Sequence, residues 1–375
     1  HLTLAFTSNP ILSFINGLIP KNKNKIVLES SPDFSDNAKA IYDYLLKKGK
    51  RDYTFVWSVY NYERYKKLET KKLKFITKKK KIRYFYHVFT SKYVFFGNRG
   101  VIGTNIKKQI VVNLTHGLPF KCSKGLMQKD EDFTYVLSSS DNVSPAMASE
   151  FYSKVSKCLV TGLPRNDVLF LENNEVSSIT KGFSKFILWL PTYKKHKDLN
   201  TSVTKNYNPV PLFNNAELES LNKVLKDKNI LLILKFHPAQ DLSTLNSSSL
   251  SNIFLWKNDE LVDRNIDLYK LMSKSDALIT DYSSVFADYL LLDRPIAYIV
   301  DDYKEFKDNR GFCFDDIEKL TPGDKIKNKD EFITFVDKIS NNIDSYKEDR
   351  KRVRDFYHKY QDGTSTKVFV DYFDL

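Results

Sequence analysis

With 375 residues, 42% of them hydrophobic and 28% charged, the chain is long enough for two domains of ordinary size and too apolar to be intrinsically disordered. A net charge of +13 and a pI near 9.2 favour anionic partners: phosphorylated substrates, nucleic acid or an acidic membrane face. Three cysteines (Cys122, Cys158 and Cys313), with no C-x-x-C spacing, argue for a reducing compartment and against a zinc or disulfide framework, and no apolar run approaches the ~20 residues of a membrane span.

The opening stretch LTLAFTSNPILSFINGLIPKNKNK is apolar, broken by Pro10 and Pro20, and then basic, which is not the order of a signal peptide. The first residue is His1, so the natural N-terminus is expected to be missing. KIVLES (25–30) predicts a strand, and SDNAKAIYDYLLKKG (35–49) a helix. Ser35 or Asp36 can cap that helix, Ile41, Tyr44 and Leu45 share a face, and Gly49 ends it. Strands follow at 54–59, 72–77, 92–98, 109–117, 134–139 and 157–162. A second series predicts strands at 185–193, 229–238, 252–257, 276–284 and 295–302, with helices at 216–228, 266–275 and 285–293. Strands alternating with helices imply parallel sheets, and two such series imply two doubly wound α/β domains facing a cleft. The polar stretch 170–184 is the expected hinge. The predicted division is an N-terminal apolar and basic segment (1–24), two Rossmann-like domains (25–180 and 181–345) and a C-terminal helical segment (346–375).

Ligands of open α/β sheets bind beyond the carboxyl ends of the strands, so the residues just after each apolar run carry the information. In NLTHGLPFK (113–121), His116 follows such a run and Gly117 permits close approach of a ligand to the backbone. LPTYK (190–194) places Thr192 and Lys194 at a second strand end. At a third, LKFHP, Lys235 and His237 lie on one side of the strand, a cationic pair suited to a diphosphate, and Pro238 restricts the backbone that aims the ring. At the fourth, ITDYSSVFADYL, Asp281, Ser283 and Ser284 stand between a strand and a helix, where free N–H groups and hydroxyls would cradle a phosphate. An ordinary helix cap would look the same, and a lone histidine at a strand end is commonly a polar rim residue.

The segments KIVLESSPDFSDNAKAIYDYLL, NLTHGLPFK, TGLPRNDVL, LPTYK, KFHP, TDYSSVFADYLLLDRPI, DDYKEFKDNRGF and YQDGTSTK occur in an order and spacing that resembles the CDP-glycerol glycerophosphotransferase family, the teichoic acid primases and polymerases. The resemblance runs from about 25 to 367. It implies a GT-B fold, with two Rossmann-like domains facing an interdomain active site, and transfer of a polyol phosphate from a CDP-activated donor to an acceptor hydroxyl with release of CMP. The family's histidine before glycine maps onto His116, its His-Pro onto His237 and Pro238, and its paired serines onto Ser283 and Ser284. Arg165, Asp167 and Asp302 fall in matching motifs and are further site candidates. Two features depart from the pattern: Asn113 and Thr115 stand where glutamine and tryptophan are usual, and Lys194 where arginine is frequent.

Two other signals carry less. The D-x-D within KDED (129–132) precedes a strand among charges and is expected to be a solvated turn; no metal and no cofactor are expected. The basic, aromatic-laced stretch 65–84 is either a solvated face or a surface drawn to anionic lipid or a polyphosphate product, and nucleic-acid binding lacks a recognition motif. The expectation is therefore a CDP-polyol phosphotransferase, cytoplasmic and peripheral on the inner membrane face, with a lipid-linked or polymeric acceptor. The first domain takes the acceptor, with His116 as general base, and the second takes the donor, with Lys235, His237, Ser283 and Ser284 holding its phosphates. A CMP-sugar transferase of the sialyl or Kdo type is the nearest rival, and a polyanion-binding module the non-enzymatic one. Glycerol against ribitol, primase against polymerase, teichoic acid against capsule, and the oligomeric state stay open.

Overall fold

Seven strands form the first sheet of the computed structural model: β1 (Asn22–Glu29), β2 (Thr54–Ser58), β3 (Leu73–Ile76), β4 (Ser91–Phe96), β5 (Ile110–Asn113), β6 (Tyr135–Ser138) and β7 (Cys158–Val160). Six form the second: β8 (Lys185–Trp189), β9 (Ile230–Lys235), β10 (Ile253–Trp256), β11 (Ala277–Thr280), β12 (Ile296–Ile299) and β13 (Asp324–Ile326). The structure describes residues 10–49, 51–97, 100–121, 133–172, 174–192, 210–236, 240–243, 245, 249–264, 266–301, 303–309 and 311–375. The pairings within both sheets are parallel. Parallel strands are covered on both faces and so read as unbroken apolar runs; Ile26, Val27 and Leu28 of β1 are fully buried, with Ile26 opposite Phe55 on one side and Tyr93 on the other.

The helices follow from their stripes. Ala38, Ile41, Tyr42 and Leu45 bury one face of the helix Asp36–Lys48, and Gly49, at φ +60°, closes it by donating to the Leu45 carbonyl. Asn214 and Glu217 form a reciprocal capping box at the start of the helix Asn215–Asp227, which buries Leu218, Leu221 and Leu225. In the second sheet's core, Phe332 lies 5.0 Å from both Trp189 and Phe213, ring centre to ring centre. Strand β13, three residues long, and the helices Pro10–Leu18, Lys81–Thr90 and Lys329–Ser340 have no counterpart among the predicted elements.

The chain divides into two units, residues up to Val168 together with Phe356–Leu375, and Leu169–Asp355. The sequence expected the division at 180/181. The stretch 170–184 is polar because it holds the outer face of a short helix, Asn174–Thr180, which buries Val176 and ion-pairs through Glu175 with Lys270 of the second unit. The expected C-terminal segment 346–375 is shared between the units. Its first half belongs to the second, where buried Arg350 pairs with Asp344 at 2.5 Å. Its last helix, Ser365–Tyr372, packs Phe369 edge-on against Phe95 of β4 at 5.1 Å.

Candidate functional site

The strand order of each sheet fixes where a ligand would bind. In the first, β3-β2-β1-β4-β5-β6-β7, the chain leaves β1 in one direction and β4 in the other; in the second, β10-β9-β8-β11-β12-β13, the same reversal falls between β8 and β11. Such switch points open a crevice at the carboxyl edge of the sheet. Of the candidates among the described residues, His116, Gly117, Arg165 and Asp167 belong to the first unit and Thr192, Lys235, Asp281, Ser283 and Ser284 to the second.

In the first unit, Asp36 follows β1, His116 follows β5 and Arg165 follows β7. The His116 loop is held from several sides. Asn113 Oδ1 accepts the Thr115 N–H at 2.9 Å, and Thr115 Oγ1 donates to the Gly117 carbonyl at 2.8 Å. Asn37 Nδ2 donates to the Leu114 carbonyl at 3.0 Å, while Asn37 Oδ1 accepts from the Arg165 N–H at 3.1 Å. The left-handed residue of the turn is Thr115, at φ +56°, and Gly117 is not among the glycines at positive φ. The two departures from the family pattern, Asn113 and Thr115, thus shape this loop.

The ring of His116 is more than half exposed, and its Nδ1 lies 2.9 Å from Asp36 Oδ2. Arg165 Nη1 donates to Asp36 Oδ1 at 3.1 Å and to the His116 carbonyl at 2.8 Å. Burial alone would raise the Asp36 carboxyl; the Arg165 charge and the His116 contact outweigh it and bring the pKa down to about 2. Asp36 is itself left-handed, at φ +61°, a conformation that costs a non-glycine residue ~1–2 kcal/mol. Asp167, two residues beyond Arg165, faces elsewhere. Its Oδ1 accepts from the Ser365 N–H at 3.0 Å and its Oδ2 from the Thr366 N–H at 2.7 Å, at the start of the last helix.

In the second unit, Asp281, just past β11, accepts the Thr192 N–H at 2.6 Å and also the Thr192 hydroxyl. This pair bridges the carboxyl ends of β8 and β11, across the switch point. Ser283 and Ser284 follow, both partly exposed, and Ser284 stands at the cap position of the helix Val285–Tyr289 without a side-chain cap bond. Neither hydroxyl bonds to any of the described residues, so the ordinary-cap alternative is not realised here. The helix is only five residues long, so backbone N–H groups and hydroxyls, more than a macrodipole, define what this turn can hold. Lys235 ends β9, partly buried, and burial lowers its pKa; no described residue partners its ammonium. Lys194, His237, Pro238, Asp302 and the D-x-D at 130–132 lie outside the described residues.

Sequence reasoning named Asp36 only as a helix cap and did not name Asn37. The available signal was positional: both follow β1, the strand at the switch point, and a carboxylate there faces the carboxyl edge.

Residues 11–373 match the family model of CDP-glycerol:poly(glycerophosphate) glycerophosphotransferases. The chain is 28% identical to the teichoic acid poly(glycerol phosphate) polymerase of Bacillus spizizenii, over 95% of this chain and 93% of that protein. It is 24% identical to the teichoic acid glycerol-phosphate transferase of Staphylococcus aureus, over 92% of each. Its fold superposes on that of the wall teichoic acid polymerase TagF with a TM-score of 0.75 and 22% identity, covering 94% of this chain and 89% of that one. The two parallel doubly wound sheets expected from the sequence are thus present, and neither the CMP-sugar transferase nor the polyanion-binding module is favoured.

Proposed function

Because the chain belongs to the CDP-glycerol:poly(glycerophosphate) glycerophosphotransferase family, we propose that its two switch points divide one glycerophosphotransfer reaction of teichoic acid synthesis between them. The chain is a transferase, and CDP-glycerol is its donor. The second unit takes that donor. Lys235, Ser283 and Ser284 hold its diphosphate, a task the sequence also assigns to His237, Pro238 and Lys194; Asp281 and Thr192 brace the strand ends beside it. The first unit presents the acceptor hydroxyl to His116. The hydroxyl oxygen attacks the β-phosphorus, the bond from that phosphorus to the CMP oxygen breaks, CMP leaves, and the hydroxyl proton passes to the imidazole. The observation that carries the donor assignment is Lys235: a partly buried ammonium without a described partner is unfavourable unless an anion joins it.

The acceptor is polymeric or lipid-linked, and the enzyme works on an anionic membrane surface. No helix among the described residues is long and apolar enough to cross a membrane. The helix Pro10–Leu18 instead exposes Ile11, Phe14, Ile15 and Leu18 on one face, while Asn16 opposite them is buried and donates to the Gly103 carbonyl at 2.7 Å and to Gln109 Oε1 at 2.8 Å. On the neighbouring helix Lys81–Thr90, Ile82 and Tyr86 are exposed next to the lysines at 78–81. Apolar side chains beside lysines suit the boundary between lipid headgroups and acyl chains.

The deciding experiment offers the purified protein CDP-glycerol, CDP-ribitol and CMP-sugars with a lipid-linked acceptor, and measures nucleotide release and product length. CMP release from CDP-glycerol with growth of the acceptor is the expected result. Turnover of CMP-sugars alone, or binding of polyanions without turnover, would overturn it.

A further inference from the structure

We infer that Asp36 is a positioning residue that fixes the ring of His116 with Nδ1 protonated and Nε2 free to take the acceptor's proton. The inference rests on the assignment of His116 as the base and names the group that prepares it.

The geometry divides the carboxylate between two tasks. Oδ1 accepts from the Asn37 N–H at 2.8 Å and from Arg165 Nη1 at 3.1 Å, which anchors Asp36 to its own helix and to the segment after β7. Oδ2 is left for His116 Nδ1, at 2.9 Å. Arg165 also donates to the His116 carbonyl, so the same guanidinium holds the carboxylate and the backbone of the residue the carboxylate orients. With its pKa near 2, Asp36 is ionised at neutral pH and is an acceptor only. The hydrogen between the two groups therefore belongs to His116 Nδ1, and in the neutral ring the lone pair sits on Nε2. Exposure runs the same way: the Asp36 side chain is 11% exposed and that of His116 56%, so the pair presents its imidazole and hides its carboxylate.

The backbone adds an independent observation. Asp36 and Thr115, the residue before His116, are both non-glycine and both left-handed, at φ +61° and +56°. Strain on both sides of one hydrogen bond persists only where the surroundings over-determine it, and such positions gather at functional sites. An ordinary helix cap would not require it. Ser35, which holds the extended cap position, makes no side-chain cap bond; its hydroxyl donates to the Pro32 carbonyl at 2.6 Å.

The test uses the full chain and the substitutions Asp36→Asn and His116→Ala. Asparagine tolerates the left-handed backbone and keeps the side-chain shape, but its amide can donate to Nδ1 and so favours the opposite tautomer. Long-range ¹⁵N–¹H spectra of the native protein should report Nδ1–H at His116. In folded Asp36→Asn, kcat should fall on the order of 10²-fold with KM for CDP-glycerol within about twofold. A folded Asp36→Asn protein with native kcat, beside a His116→Ala protein that has lost turnover, would overturn the role of Asp36 and leave the base intact. Native turnover in His116→Ala would instead overturn the base itself. If Asp36→Asn does not fold, the native spectrum still decides, because Nε2–H at His116 contradicts the inference.

Discussion

Asp167 and Ser365 are joined across 198 residues of chain: the Asp167 carboxylate accepts the Ser365 N–H at the start of the last helix, and Gly162 lies directly against the Ser365 side chain. Gly162 has φ +76°, and a Cβ placed there would stand 2.2 Å from Ser365 Oγ. Gly162→Ala should therefore destabilise the protein by on the order of 2 kcal/mol, from steric conflict and backbone strain together. Adding Ser365→Ala removes the nearest atom but leaves the Ser365 Cβ at 3.0 Å, so it should restore only part of the loss. Urea unfolding of both variants measures this; full stability in Gly162→Ala would contradict the contact.

His87 makes acid stability titratable. Its Nδ1 is buried without a hydrogen-bond partner among the described residues, and burial, followed by the charges of Lys25, Arg83 and Lys74, pushes its pKa from 6.5 down to about 4. As pH falls the unfolded chain takes up this proton before the folded one does. The stability that His87 contributes is therefore complete above pH 6.5 and is lost as pH falls from there through about 4. In His87→Leu, the unfolding midpoint should change less across that window than in the native protein. Identical pH profiles would show that His87 does not titrate there.

Lys235→Met should separate binding from stability. The methionine keeps the apolar stem and removes a partly buried ammonium that no described residue partners, so the thermal midpoint should hold or rise. Affinity for CDP-glycerol should fall ~10-fold or more, the size of one lost charged hydrogen bond. Calorimetry with unchanged donor affinity would remove Lys235 from the site.

The exposed face of the first helix should read out in membrane binding. Phe14→Ser together with Leu18→Ser removes two side chains that are 69% and 71% exposed and touches none of the Asn16 bonds. Association with phosphatidylglycerol vesicles should drop, while CMP release with a soluble acceptor stays native. Undiminished vesicle binding would count against this surface.

The strands announced themselves in sequence because parallel strands are apolar on both faces, so KIVLES and NILLILK could hardly be anything else. Gly49 likewise announced the end of its helix. Site candidates stood out in sequence where a polar residue interrupts such a run, as at His116 and Lys235. Asp36 escaped as a site residue because a carboxylate at a helix start has an ordinary explanation. What distinguishes it, a left-handed backbone and a shared bond with Arg165 more than a hundred residues away, exists only once the chain is folded. The helix Pro10–Leu18 escaped for a related reason: its outward face is as apolar as a core face.

The return of residues 356–375 to the first unit has a consequence for synthesis. Ser139 and Ser140, just past β6, donate their hydroxyls to the carbonyls of Tyr357 and Phe356, and Phe95 and Tyr135 pack against Phe369, Tyr372 and Phe373. A ribosome that has released the chain up to residue 168 has therefore made a sheet with part of its covering still untranslated, whereas 169–355 emerges as an uninterrupted stretch. The second unit can finish folding first, although it is made later. The first waits for residues 356–375, so a chain cut off between 355 and 356 would leave the His116 half, not the Lys235 half, incomplete.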